Sequence, residues 1–291
     1  MSAIPAAFKE DAHNPLLRQC YQDLRAEKLV LPTLPEISLK IRKAINDEKA
    51  NNARIARVVQ LDPAITARLI HIANSPLYPG RKKIESCPEA LTRIGLKAAQ
   101  HLITSFALKS VFTAQSPQIR KRMNALWAHS GYVAAICAVL AHKLRGFDPD
   151  RAMLAGLVHD IGCVPVLTLA DRHPGLLDDP AQLDTALQAL RTPVGVLILR
   201  QWDFPKDFEE TVRHAEDWLL ERPGPADYTD LVILAQLHSF VGSLEVHKHP
   251  HLDQTPAYRK LLAGQSATEL SQDVLDRAKD DIWQVQHLLL A

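Results

Sequence analysis

Cysteine is scarce and scattered: Cys20, Cys87, Cys137 and Cys163 form no CxxC pair and no zinc-ribbon spacing, which argues against a disulfide framework or a thiolate-built metal site. Charge of one sign is lacking too. The 34 Lys and Arg balance 33 Asp and Glu to a net charge of +1, whereas a dedicated nucleic-acid binder carries a basic excess or stripe. No uninterrupted apolar run approaches the roughly 20 residues of a membrane-spanning helix. Residues 1–10 show no basic segment leading into an apolar one, so no secretory leader is visible. The expectation is a cytoplasmic chain with reduced thiols. Glycine is sparse as well, 11 against 19 prolines and 13 histidines in 291 residues. With 47% hydrophobic and 23% charged residues, the composition is that of an ordinary folded chain and excludes wholesale disorder.

What is present reads as helix. Asp62-Pro63, Ser116-Pro117, Asp148-Pro149, Asp179-Pro180, Thr192-Pro193 and Thr255-Pro256 each set a short side-chain oxygen before a proline. Such an oxygen accepts an orphan N–H at a helix N-cap, and proline at the first helical position lacks only a donor that has no partner there. Ser86-Cys87-Pro88-Glu89 and Ser266-Ala267-Thr268-Glu269 add capping-box patterns. After Asp62, the apolar positions Ile65, Leu69 and Ile72 follow helical spacing. A longer run from Pro117 passes Met123, Leu126, Val133, Ile136 and Leu140 and stops near Gly146. Val164-Pro165-Val166-Leu167 is the one strand candidate and is too short to carry a sheet, so the predicted class is all-α. Residues 76–87, 221–227 and 246–255 read as loops, and the helix start at Ser116 is the best subdomain boundary. Asn74 and Ser75 close a helix ahead of Pro76 and are read as a structural stop that turns the chain.

One adjacent pair stands apart. His159-Asp160 lies in AGLVHDIG, near the end of the apolar helix that starts at Asp148-Pro149. An imidazole nitrogen and a carboxylate oxygen from neighbouring residues can face one cation, and His129 in the long helix offers a third ligand. Nitrogen and oxygen donors of this kind suit Mn, Fe, Mg or Zn. By itself an HD dipeptide also fits a histidine that caps its own helix end beside a solvated aspartate.

The surrounding segments sharpen this. LWAHS (126–130) followed by LAGLVHDIG (154–162) resembles the HD superfamily of metal-dependent phosphohydrolases. LPTLPEI (31–37), LDPAITARLIHIANSPLY (61–78), EALTRIGL (89–96), VGVLILRQWDFP (194–205) and VRHAED (212–217) resemble, in order, the HDOD domain of bacterial signalling proteins. The resemblance implies a multi-helix HD-domain-like bundle with an N-terminal helical subdomain over 1–115, an HD-like subdomain over 116–245 and a C-terminal helical extension over 246–291. It implies His129, His159 and Asp160 as metal ligands. Four positions depart from the catalytic relatives. The closing aspartate falls at Gln236, which offers a carbonyl without charge. HD-GYP phosphodiesterases place lysine where this chain has Cys163, histidine where it has Arg191, and a His-His pair where it has His214-Ala215. Arg191, His214, Gln236 and Cys163 are therefore expected to line the pocket.

Two functions stand open at this point. The resemblance implies a signal-transduction module that acts by protein or ligand binding, with a degenerate metal site and little or no hydrolysis. The alternative is a metal-dependent phosphohydrolase, whose chemistry needs an activated water and positive charge on the phosphoryl oxygens. The cofactor is correspondingly one divalent metal (Fe, Mn, Mg or Zn) or none. The expected partner is a signalling protein or a nucleotide-like ligand, with the groove between the two helical halves as its natural seat. Nucleic acid and membrane are not expected. Arg81-Lys82-Lys83 and Arg120-Lys121-Arg122 read as solvated surface, His71 and His101 as core or boundary residues, and Trp127 as packing. His247, His249 and His251 read as exposed loop residues.

Overall fold

Side-chain oxygens start the helices largely where the sequence places them. A computed structural model describes residues 14–47, 50–173, 180–244, 246–263 and 278–290. In it Asp62, Ser86, Ser116, Asp148 and Thr255 each accept a backbone N–H from the first turn that follows. The first half comprises α1 (Pro15–Arg25), α2 (Glu36–Ile45), α3 (Asn52–Val59), α4 (Pro63–Ala73), α5 (Cys87–Ile94) and α6 (Leu96–Leu108). The second comprises α7 (Pro117–Lys143), α8 (Pro149–Val158), α9 (Cys163–Arg172), α10 (Pro180–Gln201), α11 (Lys206–His214) and α12 (Tyr228–Ser239). The chain ends with α13 (Pro256–Leu262) and α14 (Lys279–Leu290). No strand occurs among the described residues, and Val164-Pro165-Val166-Leu167 lies within α9.

One proposed start fails. Pro193 sits inside α10, so Thr192-Pro193 caps nothing. An interior proline costs about 3 kcal/mol, but Leu190, Val194 and Ile198 on either side of it are each 0% exposed. Burying three such side chains is worth roughly 5–9 kcal/mol, so packing carries the helix through. Asp179 and the Ser266–Glu269 pattern lie outside the described residues, although α10 does begin at Pro180.

The main apolar core runs from Leu16 to Leu289, and a small second cluster joins Ile233, Leu237 and Ala257. Its centre is α7, which is buried continuously from Val133 to Ala141 and packs against α8, α9, α12 and α14. α7 and the 149–172 stretch are long and apolar enough to cross a membrane, but 67% and 94% of their most apolar windows are buried inside the protein. Other helices cover that surface. α6 joins the halves by packing on both α2 and α8, and α1 lies on α10. A polar latch adds to this joint: Arg42 Nη1 donates to the carbonyls of Trp202 and Asp203 at 2.8 and 3.1 Å, and Trp202 Nε1 donates to Pro32 O at 2.9 Å.

Asn74 performs the turning role read from sequence. Its Nδ2 donates to Ile84 O and its Oδ1 accepts from Ile84 N, both at 2.8 Å, which ties the end of α4 to the far side of the 76–86 loop. Tyr78 in that loop donates to Asp150 in the first turn of α8, a contact that joins the two halves again.

Candidate metal centre

α7 and the end of α8 bring the three predicted ligands together. α8 stops at Val158, with His159 as its C-cap residue and Asp160 one step beyond. His129 projects from the middle of α7. Its Nε2 lies 3.8 Å from Asp160 Oδ2, and His159 Nε2 lies 3.2 Å from the same oxygen. One ligand atom from each residue falls within 4.8 Å of the others, the one such group among the described residues. The imidazole rings meet edge-on at 5.2 Å.

The second ring nitrogen of His159 is already committed. Nδ1 sits 2.6 Å from Gly156 O, so it donates there, and the ring is oriented with Nε2 toward the site. Such an anchored partner is typical of a histidine that presents its other nitrogen to a cation. Nε2 lies close to Asp160 but off the hydrogen-bonding axis. It and Asp160 Oδ1 are buried polar atoms without a hydrogen bond. Buried orphans are uncommon; a cation would satisfy His159 Nε2, whereas Asp160 Oδ1 already faces the Arg191 guanidinium.

Electrostatics follows from burial and pairing. His159 is 0% exposed; burial alone would lower its pKa, but the Asp160 carboxylate beside it raises it instead. Against its own burial, Asp160 is held well below the usual carboxylate range by His159 and then by Arg191. Burial, with His159 next to it, pushes His129 down to about 4, so that ring is neutral near pH 7. Burial drives the Cys163 thiol well above its ordinary value, and Asp160 adds to the effect. Cys163 is therefore a protonated thiol packed at the start of α9.

The remaining predicted residues divide. Arg191 joins the centre from α10: its Nε is 3.4 Å from Asp160 Oδ1, and its Nη1 bonds Glu216. Gly162 sets that approach. A Cβ there would stand 1.9 Å from Arg191 O and 2.5 Å from Gly195 N, so the turn after Asp160 rests directly on the α10 backbone. Gln236, buried on α12, donates from Nε2 to Ala215 O at 2.8 Å. His214 pairs with Asp217 at 2.6 Å and lies 3.5 Å from Glu210.

Glu216 and Phe240 belong to the centre and were not singled out from sequence. Glu216 lies in the VRHAED segment, and its sign opposite Arg191 was a usable signal. Phe240 falls one helical turn after Gln236 and stacks on His129 at 6.4 Å. His249 in turn stacks on Phe240 at 4.1 Å, with Trp218 against both. His249 is thus packed and half-buried, unlike the exposed loop residue read from sequence, because an aromatic cluster captures its ring. His71 is exposed and His101 is buried. Trp127 packs against Phe112.

Comparison with known proteins gives a consistent picture. The HDOD domain profile matches residues 31–218. A protein of Treponema pallidum (strain Nichols) is 26% identical over 200 residues, covering 63% of this chain and 37% of that protein. The chain thus spans little more than a third of that relative's length. The crystal structure of a protein from Shewanella amazonensis SB2B, named as a candidate metal-dependent phosphohydrolase, superposes with a TM-score of 0.81 at 27% identity, over 94% of this chain and 98% of that one. An HDOD domain protein of Geobacter sulfurreducens shares the fold, with a TM-score of 0.69 at 23% identity over 94% and 96% of the two chains.

Proposed function

The chain belongs to the HDOD domain family, and from that membership we propose that it is a regulatory module acting by binding, with a degenerate metal centre and little or no phosphoester hydrolysis. The observation that carries this reading is the placement of Arg191. Its guanidinium lies against Asp160, the one carboxylate of the ligand group, and is held there by Glu216. A fixed cation beside that carboxylate opposes a second cation at the same oxygens. Gln236, in place of a closing carboxylate, adds no charge and directs its amide to Ala215 O.

The residues still fit one divalent ion of the Fe, Mn, Mg or Zn kind. His129 Nε2, His159 Nε2 and an Asp160 oxygen would hold it, and the orphaned His159 Nε2 would gain a partner. When bound, such an ion supplies Lewis acidity toward a phosphoryl oxygen. The chain's own contribution is to orient His159 through Gly156 O and to keep a guanidinium at the edge of the site. The partner we assign is a signalling protein or a nucleotide-like ligand. The second reading, a metal-dependent phosphohydrolase, draws support from the orphaned His159 Nε2 and from the 27% identical Shewanella relative.

Metal analysis and a hydrolysis screen separate the two. Protein purified without chelator is expected to hold clearly less than one metal per chain and to leave bis(para-nitrophenyl) phosphate and cyclic dinucleotides intact when Mn or Fe is supplied. Arg191→Ala is expected to raise metal occupancy. Stoichiometric metal together with turnover that Asp160→Ala abolishes would establish the enzyme and overturn the regulatory reading.

A further inference from the structure

Away from the metal centre, a polar cavity of about 230 Å³ lies where α2 and α6 meet α8 and the 203–205 turn, and its wall includes Arg42, His101, Thr104, Arg151, Phe204 and Phe208. Leu34 and Leu154 complete an apolar side.

One buried group points to a missing ligand. His101 is 7% exposed, and its Nδ1 is buried with no hydrogen-bond partner among the described residues. Buried polar atoms of native proteins are otherwise almost always paired. Asp203, at the rim, holds a left-handed backbone with φ of 53°. That conformation closes α10, with Asp203 N donating to Arg200 O at 3.0 Å and Phe204 N to Leu199 O at 2.9 Å, as in an ordinary helix C-terminal cap. Here the Arg42 bonds to the Trp202 and Asp203 carbonyls keep it in place.

The charges specify the ligand. Arg151 is neutralised by Asp207, with Nη2 at 2.8 and 2.6 Å from the two carboxylate oxygens and Nε at 3.2 Å, and it is fixed over the rings of Phe208 and Tyr228. Among the described residues Arg42 has no such partner. Its Nη1 serves two carbonyls, and the Asp203 carboxylate, 3.9 Å away, is fully exposed and contributes little. One guanidinium is left uncompensated, which suits a monoanion better than a phosphate dianion. A planar guanidinium can pair with a planar carboxylate through two parallel N–H···O bonds, and Phe204 and Leu154 offer apolar contact to the ligand's body. The volume lies below the roughly 300–1,000 Å³ of drug-sized sites, so the ligand is small.

We propose that this cleft binds a small aromatic monocarboxylate, with its carboxylate on Arg42, its ring against Phe204 and Leu154, and a hydrogen bond to His101. The site extends the binding reading above but does not depend on the state of the metal centre.

Fluorine NMR of para-fluorobenzoate with the full chain tests it. Saturable binding is expected, with para-fluorobenzamide, the uncharged analogue, at least about tenfold weaker (~1.4 kcal/mol). Arg42→Gln should weaken the benzoate by a similar factor. Because Arg42 also joins the two halves, Thr104→Met provides a second variant that fills the cavity and leaves the Arg42 bonds intact; it should abolish binding while melting as the parent does. Asp160→Asn should leave binding unchanged, which separates this site from the metal-centre reading. Absence of saturable binding at millimolar benzoate, equal binding of the amide, or benzoate binding that survives Thr104→Met would overturn the proposal.

Discussion

Replacing Gly162 with alanine perturbs the contact that holds α10 against the His159-Asp160 turn. The backbone of Gly162 is helical, with φ of −65° and ψ of −16°, so alanine is conformationally acceptable there and the effect is one of close approach. The added Cβ would meet Arg191 O at 1.9 Å and Gly195 N at 2.5 Å. Both are main-chain atoms of a buried helix, so neither can rotate away. An ordinary contact of about 3.2 Å requires α10 or the turn to retreat by roughly 1.3 Å, an overpacking of the kind that costs about 1–3 kcal/mol. The backbone clash places Gly162→Ala at the upper end, about 3 kcal/mol. At roughly 2–3 °C per kcal/mol for a chain of this size, Tm should fall by about 6–9 °C. Differential scanning calorimetry measures this directly. The His129 and His159 ring signals should shift too, since Arg191 moves with the helix. A Tm loss under about 2 °C would show that the turn does not rest on α10 in this way.

Asn74→Leu removes both 2.8 Å bonds that close the 76–86 loop on Ile84, and a loss of about 1–2 kcal/mol in urea unfolding is expected; a parental midpoint would refute the clamp. Asp150 gives the pH dependence a definite sign. Burial, partly offset by the Tyr78 hydroxyl and reinforced by Asp148, pushes its carboxyl from 3.8 up to about 7. The native state then keeps a proton that the unfolded chain has released, so this contribution to stability is complete below pH 4 and is lost as pH rises toward 7. Urea titrations at pH 5 and pH 8 should find Asp150→Asn less sensitive to that rise by at least about 1 kcal/mol, and an unchanged difference would show that Asp150 is ionised throughout.

Where the sequence was legible, the determinants were local. Asp62, Ser116, Asp148 and Thr255 need only the next three residues to cap a helix, so those starts could be read directly. The same rule failed at Thr192-Pro193, where buried neighbours from other helices outweigh the local signal. The clustering of His129, His159 and Asp160 was legible through the resemblance of LWAHS and HDIG to a known family, since no spacing rule links His129 to residues thirty positions away.

The sequence by itself therefore determined the helical class, most of the helix starts and the three candidate residues that the fold brings together, because capping, periodicity and family segments are encoded in short stretches. Only the tertiary structure decided what those three residues face. Arg191 and Glu216 come from α10 and the turn after α11, Phe240 and His249 from the end of α12 and the loop beyond it, and each reaches the centre through packing between helices distant in the chain. The same holds for the Arg42 cleft, built from both halves of the chain. Charge balance at a buried site is a sum over spatial neighbours, and the order of residues along the chain does not contain that sum.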